Sequence, residues 1–344
     1  MGRRQRIERA AMGGDPHKAA IIRAMREFSH SHDQYTVFSD FVEISAIAIS
    51  SKVDQSQFEA REKRYLDIVG KYKPDEVQLF CAMFAELHMC YRERVDALGD
   101  PGAALVRDDS LGDVLGEIFM ALELGNDRAG QFFTPYSVSL LMAMMTVGDG
   151  AAIREKGFIT LQEPACGSAG MVVATAQAMH CAGLSYPETL HATCVDIDQR
   201  CVHMAYVQLS LLGVPAVVVH GNALSLDVWG VWYTPAHAIV GWGSRLRHRR
   251  AADAMTQLLR GDREDGEGSG HQSSGQPVEA SLQPPEAEAI DSAQADIESE
   301  VAVVDDVDKQ KAGCEESLAD LFEQLSADVK AETIFDRVGQ LALF

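Results

Sequence analysis

Small residues crowd into Glu163-Pro-Ala-Cys-Gly-Ser-Ala-Gly170, the composition a chain needs where a strand turns sharply into a helix beneath a ligand. Gly167 and Gly170 remove the Cβ atoms that would collide with a guest lying on the backbone. A helix starting here presents unpaired N–H groups and a partly positive end, so phosphate is the default ligand. The sequence argues against it. No Gly-Lys-Ser/Thr follows for a triphosphate, and the glycine spacing is not Gly-x-Gly-x-x-Gly. Further on, Thr193-Cys-Val-Asp196 ends in an acid suited to accept both ribose hydroxyls, with Asp198 close by. His220-Gly-Asn-Ala-Leu224 offers Asn222, whose amide can read an adenine amino group or ring nitrogen. Together these describe an adenosine pocket outside the carboxyl ends of consecutive strands. The plainer alternative, that each is only a tight turn, suits a lone glycine pair better than it suits this ordered set.

The elements that must position these residues are readable from periodicity. Ile159-Thr-Leu-Gln, Thr193–Asp196 and Ala216–His220 read as strands, and Ala238-Ile-Val240 as a weaker fourth. Between them, Met171, Val172, Ala174, Thr175 and Ala178 have helical spacing, and Cys201–Leu212 reads as a helix closed by Gly213. Strand and helix alternate as in a parallel sheet with crossover helices. Upstream, Ile21, Ile22, Met25 and Phe28 form a helical stripe. So do Val77, Phe80, Cys81, Phe84, Leu87 and His88 after Pro74-Asp75-Glu76, and Leu111, Val114, Leu115, Ile118, Phe119 and Leu122. Thr134 is a good N-cap with Pro135 as first helical residue, and Val138, Leu141, Met142 and Met145 are the expected buried stripe. The expected layout is a helical N-terminal domain over 1–123, a Rossmann-like domain over 124–250, an acidic, largely disordered linker over 251–314 and an amphipathic helical segment over 315–344. In the last, Leu318, Leu321, Phe322, Leu325, Val329, Ile334, Val338 and Leu341 carry the pattern.

Composition sharpens what the chain can bind. The formal charge is −21, which weighs against a general nucleic-acid binder. From residue 251 onward, however, 22 acidic residues face 6 basic ones, so residues 1–250 carry only −5. Arg245-Leu-Arg-His-Arg-Arg250 is the strongest basic cluster, and Arg245, Arg247, Arg249 and Arg250 could meet DNA phosphates. A solvated helix face, or a counterweight to the acidic tail, is the blander reading. The seven cysteines contain no Cys-x-x-Cys pair, which points to reduced thiols with neither structural metal nor disulfide scaffold. No apolar segment resembles a signal peptide or membrane span, so the expected setting is cytoplasmic.

Three segments carry a family resemblance. Gly130-Gln-Phe-Phe-Thr-Pro135, the 163–170 loop and Val195-Asp-Ile-Asp198 resemble the N6-adenine DNA methylases of type I restriction–modification systems. Modification subunits of that family carry Gly-Gln-Phe-Tyr-Thr-Pro, Asp-Pro-Ala-Cys-Gly-Ser-Gly-Gly and an acidic second strand. The resemblance covers roughly 105–225 and implies an α/β, Rossmann-like, S-adenosyl-L-methionine-dependent methyltransferase fold, in full or truncated form. It implies that Phe133, Thr134 and Pro135 line the methionine side of the cofactor, that Ala165, Gly167 and Gly170 form the loop beneath it, and that Asp196 holds the ribose. Asn222 stands where the family usually has Asp beside the adenine. It further implies double-stranded DNA as substrate and a specificity or completing subunit as partner.

The pattern breaks where chemistry is expected. Methylating an exocyclic adenine nitrogen requires an extruded base, an aromatic platform and an acceptor for the amino hydrogens. The family supplies them with Asn-Pro-Pro-Phe or Asn-Pro-Pro-Tyr after the fourth strand, and no such tetrapeptide occurs here. Trp232-Tyr-Thr-Pro235 lies in its place, which makes Tyr233 the candidate for stacking a flipped base. A full methylase sheet needs about seven strands, and little sequence remains for them before the acidic linker. Three readings follow: an adenine-N6 DNA methyltransferase-like enzyme; a catalytically inactive, methylase-fold DNA-binding or regulatory protein of a mobile element; or a small-molecule methyltransferase, if the fourth-strand pocket is too narrow for a flipped base.

Overall fold

The computed structural model describes residues 14–28, 32–102, 111–124 and 133–264. Among the described residues, five α-helices come first: α1 (Pro16–Glu27), α2 (Gln34–Ser50), α3 (Phe58–Val69), α4 (Pro74–Leu98) and α5 (Val114–Ala121). Their starts follow local chemistry. Asp15 accepts the His17 and Lys18 N–H groups at 3.0 and 3.2 Å. Asp33 accepts from Thr36 at 3.1 Å, and Pro74 opens α4 while Glu76 reaches back to the Lys73 N–H at 2.9 Å. The stripe Ile21, Ile22, Met25 and Phe28 is buried as expected. On α4 the buried face is shifted: Phe80 and Leu87 are joined by Met83, Cys90 and Tyr91, while Cys81 is exposed.

The second half alternates: α6 (Tyr136–Val147), α7 (Ala151–Lys156), β1 (Ile159–Glu163), α8 (Gly170–Cys181), α9 (Tyr186–Thr189), β2 (Leu190–Asp196), α10 (Gln199–Leu211), β3 (Ala216–Asn222), β4 (Asp227–Tyr233), α11 (Pro235–Ile239) and α12 (Trp242–Glu264). The sheet order is β1-β2-β3-β4. The first three strands run parallel, whereas β4 is antiparallel to β3. The fold is therefore α/β with a mixed sheet. The expected fourth strand at Ala238–Val240 is corrected: Ala238 and Ile239 close the short helix α11. The reason is a tight turn after Asn222, which sends the chain straight back along β3 as a hairpin. Pro235 then starts a helix, where its missing N–H costs nothing.

One hydrophobic core includes residues from α1 to α6 together with β2–β4, α8 and α10, and the partly buried Ile159 and Leu161 of β1 pack against it. Helix α2 packs on α10, and Phe38 meets Phe119 at 5.5 Å between ring centroids. Helix α3 secures the hairpin: the Arg61 guanidinium donates to the Val231 carbonyl at 2.8 Å and lies 3.9 Å over the Trp232 ring. That contact occupies a carbonyl of the outer strand. Helix α6 departs from expectation. Its buried residues are Tyr136, Ser139, Leu140, Ala143 and Val147, and the expected stripe Val138, Leu141, Met142 and Met145 is exposed. Thr134 provides no side-chain cap; Pro135 occupies the N-cap position.

The described residues divide at Val240 into two compact units, the second beginning at Gly241 and carrying α12. The amphipathic segment over 315–344 and most of the linker lie outside the described residues. Among the described residues, no helix is long and apolar enough to cross a membrane, and no His, Cys, Asp or Glu cluster could hold a metal ion.

Candidate cofactor site

Three parallel strands end side by side, and their ends bring the sequence candidates to one edge of the sheet. Register sets Glu163 opposite Cys194 and Asp196 opposite His220. The loop after β1 then folds across β2. The Cys166 N–H donates to the Val195 carbonyl at 2.9 Å, and the Gly167 N–H donates to Asp196 Oδ2 at 2.8 Å. Asp196 Oδ1 accepts the Asp198 N–H at 2.9 Å. Burial pushes the Asp196 carboxyl above its ordinary value, opposed by those N–H donors. Gly167 has φ +55°, and a Cβ there would lie 2.9 Å from the Phe133 ring. The positive φ and the packed ring together explain why only glycine serves. Asn222 ends β3, and its Oδ1 accepts the Leu224 N–H at 3.0 Å, fixing the amide at the start of the turn.

The loop is poorly suited to phosphate. The Cys166 and Gly167 amides are committed as above, and the Ala169 N–H donates to the Cys166 carbonyl at 2.8 Å. Two carboxylates flank the start of α8. Asp196 holds Gly167, and Asp113 lies behind Gly170, where a Cβ would come 3.0 Å from its Oδ2. Helix ends that bind phosphate have positive surroundings, whereas this one is flanked by two carboxylates.

Asp113 is the residue that sequence reasoning missed. It caps α5 through the Gly116 N–H at 3.0 Å, accepts the Ser168 hydroxyl at 2.6 Å and accepts Gln208 Nε2 at 2.9 Å. Gln208 also donates to the Ser168 carbonyl and accepts from Tyr91 and from the Leu115 N–H. Burial pushes the Asp113 carboxyl up, countered by these three donors. The only signal in the sequence is an Asp directly before a helical stripe, which reads as a cap and no more.

The helical elements supply a wall. Arg200 pairs with Asp198 at 2.6 Å, lies 4.0 Å over the Tyr35 ring and 5.6 Å from Phe119, whose ring meets Phe133 at 5.3 Å. Ile197, directly after Asp196, is 62% exposed. Thr134 and Pro135 are exposed beside Phe133, while Gly130, Gln131 and Phe132 lie outside the described residues.

Tyr233 is placed elsewhere. Because β4 is antiparallel, Tyr233 pairs with Val217, near the start of β3, at the opposite end of the sheet from Asp196. There it neighbours His237 at 5.2 Å, which contacts His191 at 2.9 Å. The buried Thr234 hydroxyl fastens this end by donating to the Val214 carbonyl and accepting the Ala216 N–H. The four arginines of the basic cluster lie on α12 in the second unit, Arg247 exposed and Arg245 stacked 4.1 Å over Trp242.

Mixed sheet, small-residue loop and clamped acid together define an α/β unit with its candidate residues gathered at the ends of the parallel strands. Residues 106–241 match the family model described as N-6 DNA Methylase, so this segment has family-level similarity to adenine-N6 DNA methylases. Among solved structures, a similar chain is the methyltransferase subunit of a type I restriction–modification system from Streptococcus thermophilus. It is 16% identical, with 65% of this chain and 59% of that chain covered and a TM-score of 0.27. The chain thus spans less than two thirds of that subunit. No curated protein matches.

Proposed function

We propose that the ends of β1, β2 and β3 bind S-adenosyl-L-methionine and that the protein is an adenine-N6 DNA methyltransferase-like protein. The observation carrying this reading is the Asp196–Gly167 clamp. It sets a carboxylate where ribose hydroxyls would lie, over a loop whose paired amides and flanking acids disfavour phosphate. A cofactor with a positive sulfonium and no phosphate suits that environment. Asp196 retains lone pairs for the ribose, the Asn222 amino group, its Oδ1 held by the Leu224 N–H, serves the adenine edge, and Ile197 offers the purine an apolar face. Phe133, with Thr134 and Pro135, bounds the methionine side, and Ala165, Gly167 and Gly170 keep the floor bare. When bound, the cofactor supplies an electrophilic methyl group; the protein's part is to orient it and exclude water. The partner is double-stranded DNA, its phosphates met by Arg245, Arg247, Arg249 and Arg250, in a cytoplasmic setting.

The test is calorimetric titration with S-adenosylmethionine and its demethylated product. Wild type binds both, and Asp196→Ala binds at least about tenfold more weakly, since hydrogen bonds to a charged acceptor are lost. Absence of binding to wild type overturns the reading. A second reading, cofactor binding without turnover, is favoured by the position of Tyr233 away from the site. Tritiated-methyl transfer to unmethylated duplex DNA separates the two. A completing or specificity subunit would supply the missing acceptor in the first reading, and is unnecessary in the second.

A further inference from the structure

The β3–β4 hairpin stands at the end of the sheet that carries Gly167, Asp196 and Asn222, and its register is broken there. His220 pairs with Gly230 and Gly221 with Val228, so Trp229 is an extra residue with no opposite number. Such a bulge bends its strand and re-aims a side chain. Here the indole is 54% exposed and stands edge-on to His220, with 5.0 Å between ring centroids. His220 is itself the register partner of Asp196. The turn continues the apolar rim: Leu224 is 97% exposed, Val228 42% exposed, and Leu226 is held at φ +63°. The other two tryptophans behave differently, Trp232 being 8% exposed and Trp242 fully buried. Core packing therefore explains Trp232 and Trp242, whereas Trp229 touches His220 and leaves about half of its surface to solvent.

We infer that Trp229 is a nucleobase-stacking residue, set by the β-bulge against His220, the register partner of Asp196. A purine presents a flat π-face that an indole matches, and stacking of this kind tolerates any base. The ring could come from the adenosine of the cofactor or from a base of the DNA. The inference rests on the function proposed above and replaces Tyr233 as the aromatic of the site.

The experiment titrates the full chain with S-adenosylhomocysteine and, separately, with an adenine-containing single-stranded oligonucleotide. Tryptophan emission and calorimetric affinity are followed for wild type, Trp229→Ala and Trp229→Phe. One ligand quenches wild-type emission, and Trp229→Ala weakens that ligand by about 5- to 150-fold. Trp229→Phe keeps affinity within about threefold and loses most of the quench. A quench by S-adenosylhomocysteine assigns the cofactor's adenine, and one by the oligonucleotide assigns a DNA base; either supports the proposal. Both variants melt within about 2 °C of wild type, because the side chain is half exposed. Trp229→Ala binding both ligands as tightly as wild type overturns the proposal and leaves the cofactor site standing. Wild type binding neither ligand overturns the proposed function, and the role of Trp229 with it.

Discussion

Ala169 adopts φ +69° and ψ 25°, in the left-handed region, at the point where the small-residue loop enters α8. An L-residue held there costs about 1 kcal/mol relative to glycine. The methylases that this loop resembles carry glycine at the corresponding position. The Ala169 methyl is fully buried, which offsets part of the strain. Ala169→Gly is expected to raise stability by about 0.5–1 kcal/mol in urea unfolding. A loss of stability would show that the packed methyl outweighs the backbone. The site's other residues divide by how far their partners lie along the chain. Gly167 and Asp196 are legible in the sequence because strand-end chemistry is local in pattern. Asp113 is not, because its partner Ser168 is 55 residues away and no spacing rule links a cap to a loop.

At the scale of elements, helices and parallel strands are legible from periodicity, and the misreadings share one cause. A run of apolar residues shows that a face exists but not which way it points. On α6, Val138, Leu141, Met142 and Met145 have ideal helical spacing, yet Met145 is 77% and Leu141 60% exposed. The opposite face packs on α8, through smaller residues such as Ser139 and Ala143, which allow close approach of the two helices. On β4 the same ambiguity conceals an antiparallel return, because the turn after Asn222 carries no glycine to announce it. The exposed face of α6 gives a direct check. Leu141→Glu with Met145→Lys should change unfolding free energy by no more than about 0.5 kcal/mol. A loss above about 2 kcal/mol would mean that these residues are core after all.

At the scale of the molecule, helix α10 links the helical elements to the sheet, and its buried polar groups make that junction sensitive to acid. His203 is buried among α10, β4 and α3, with its ring 5.1 Å from Trp232. Burial is the largest influence and holds its pKa down to about 3; His220, Arg61 and Arg64 push the same way, and Asp198 opposes them. The sign follows from proton counting. The folded state keeps His203 neutral, whereas the unfolded chain takes up a proton below about pH 6.5. Its contribution is therefore fully present above that value and is lost as pH falls toward about 3. Between pH 7 and pH 5 the loss amounts to about 2 kcal/mol. The raised carboxyls of Asp113 and Asp196 act in the opposite direction, as does the raised His17 imidazole beside Glu86 and Glu93. All three are present in both wild type and a His203→Phe variant, so their effects cancel in a comparison between the two. Urea unfolding at pH 7 and pH 5 should show wild type losing about 2 kcal/mol more than His203→Phe over that interval. Equal losses in the two proteins would mean that the imidazole is protonated in the folded state and that the junction admits water.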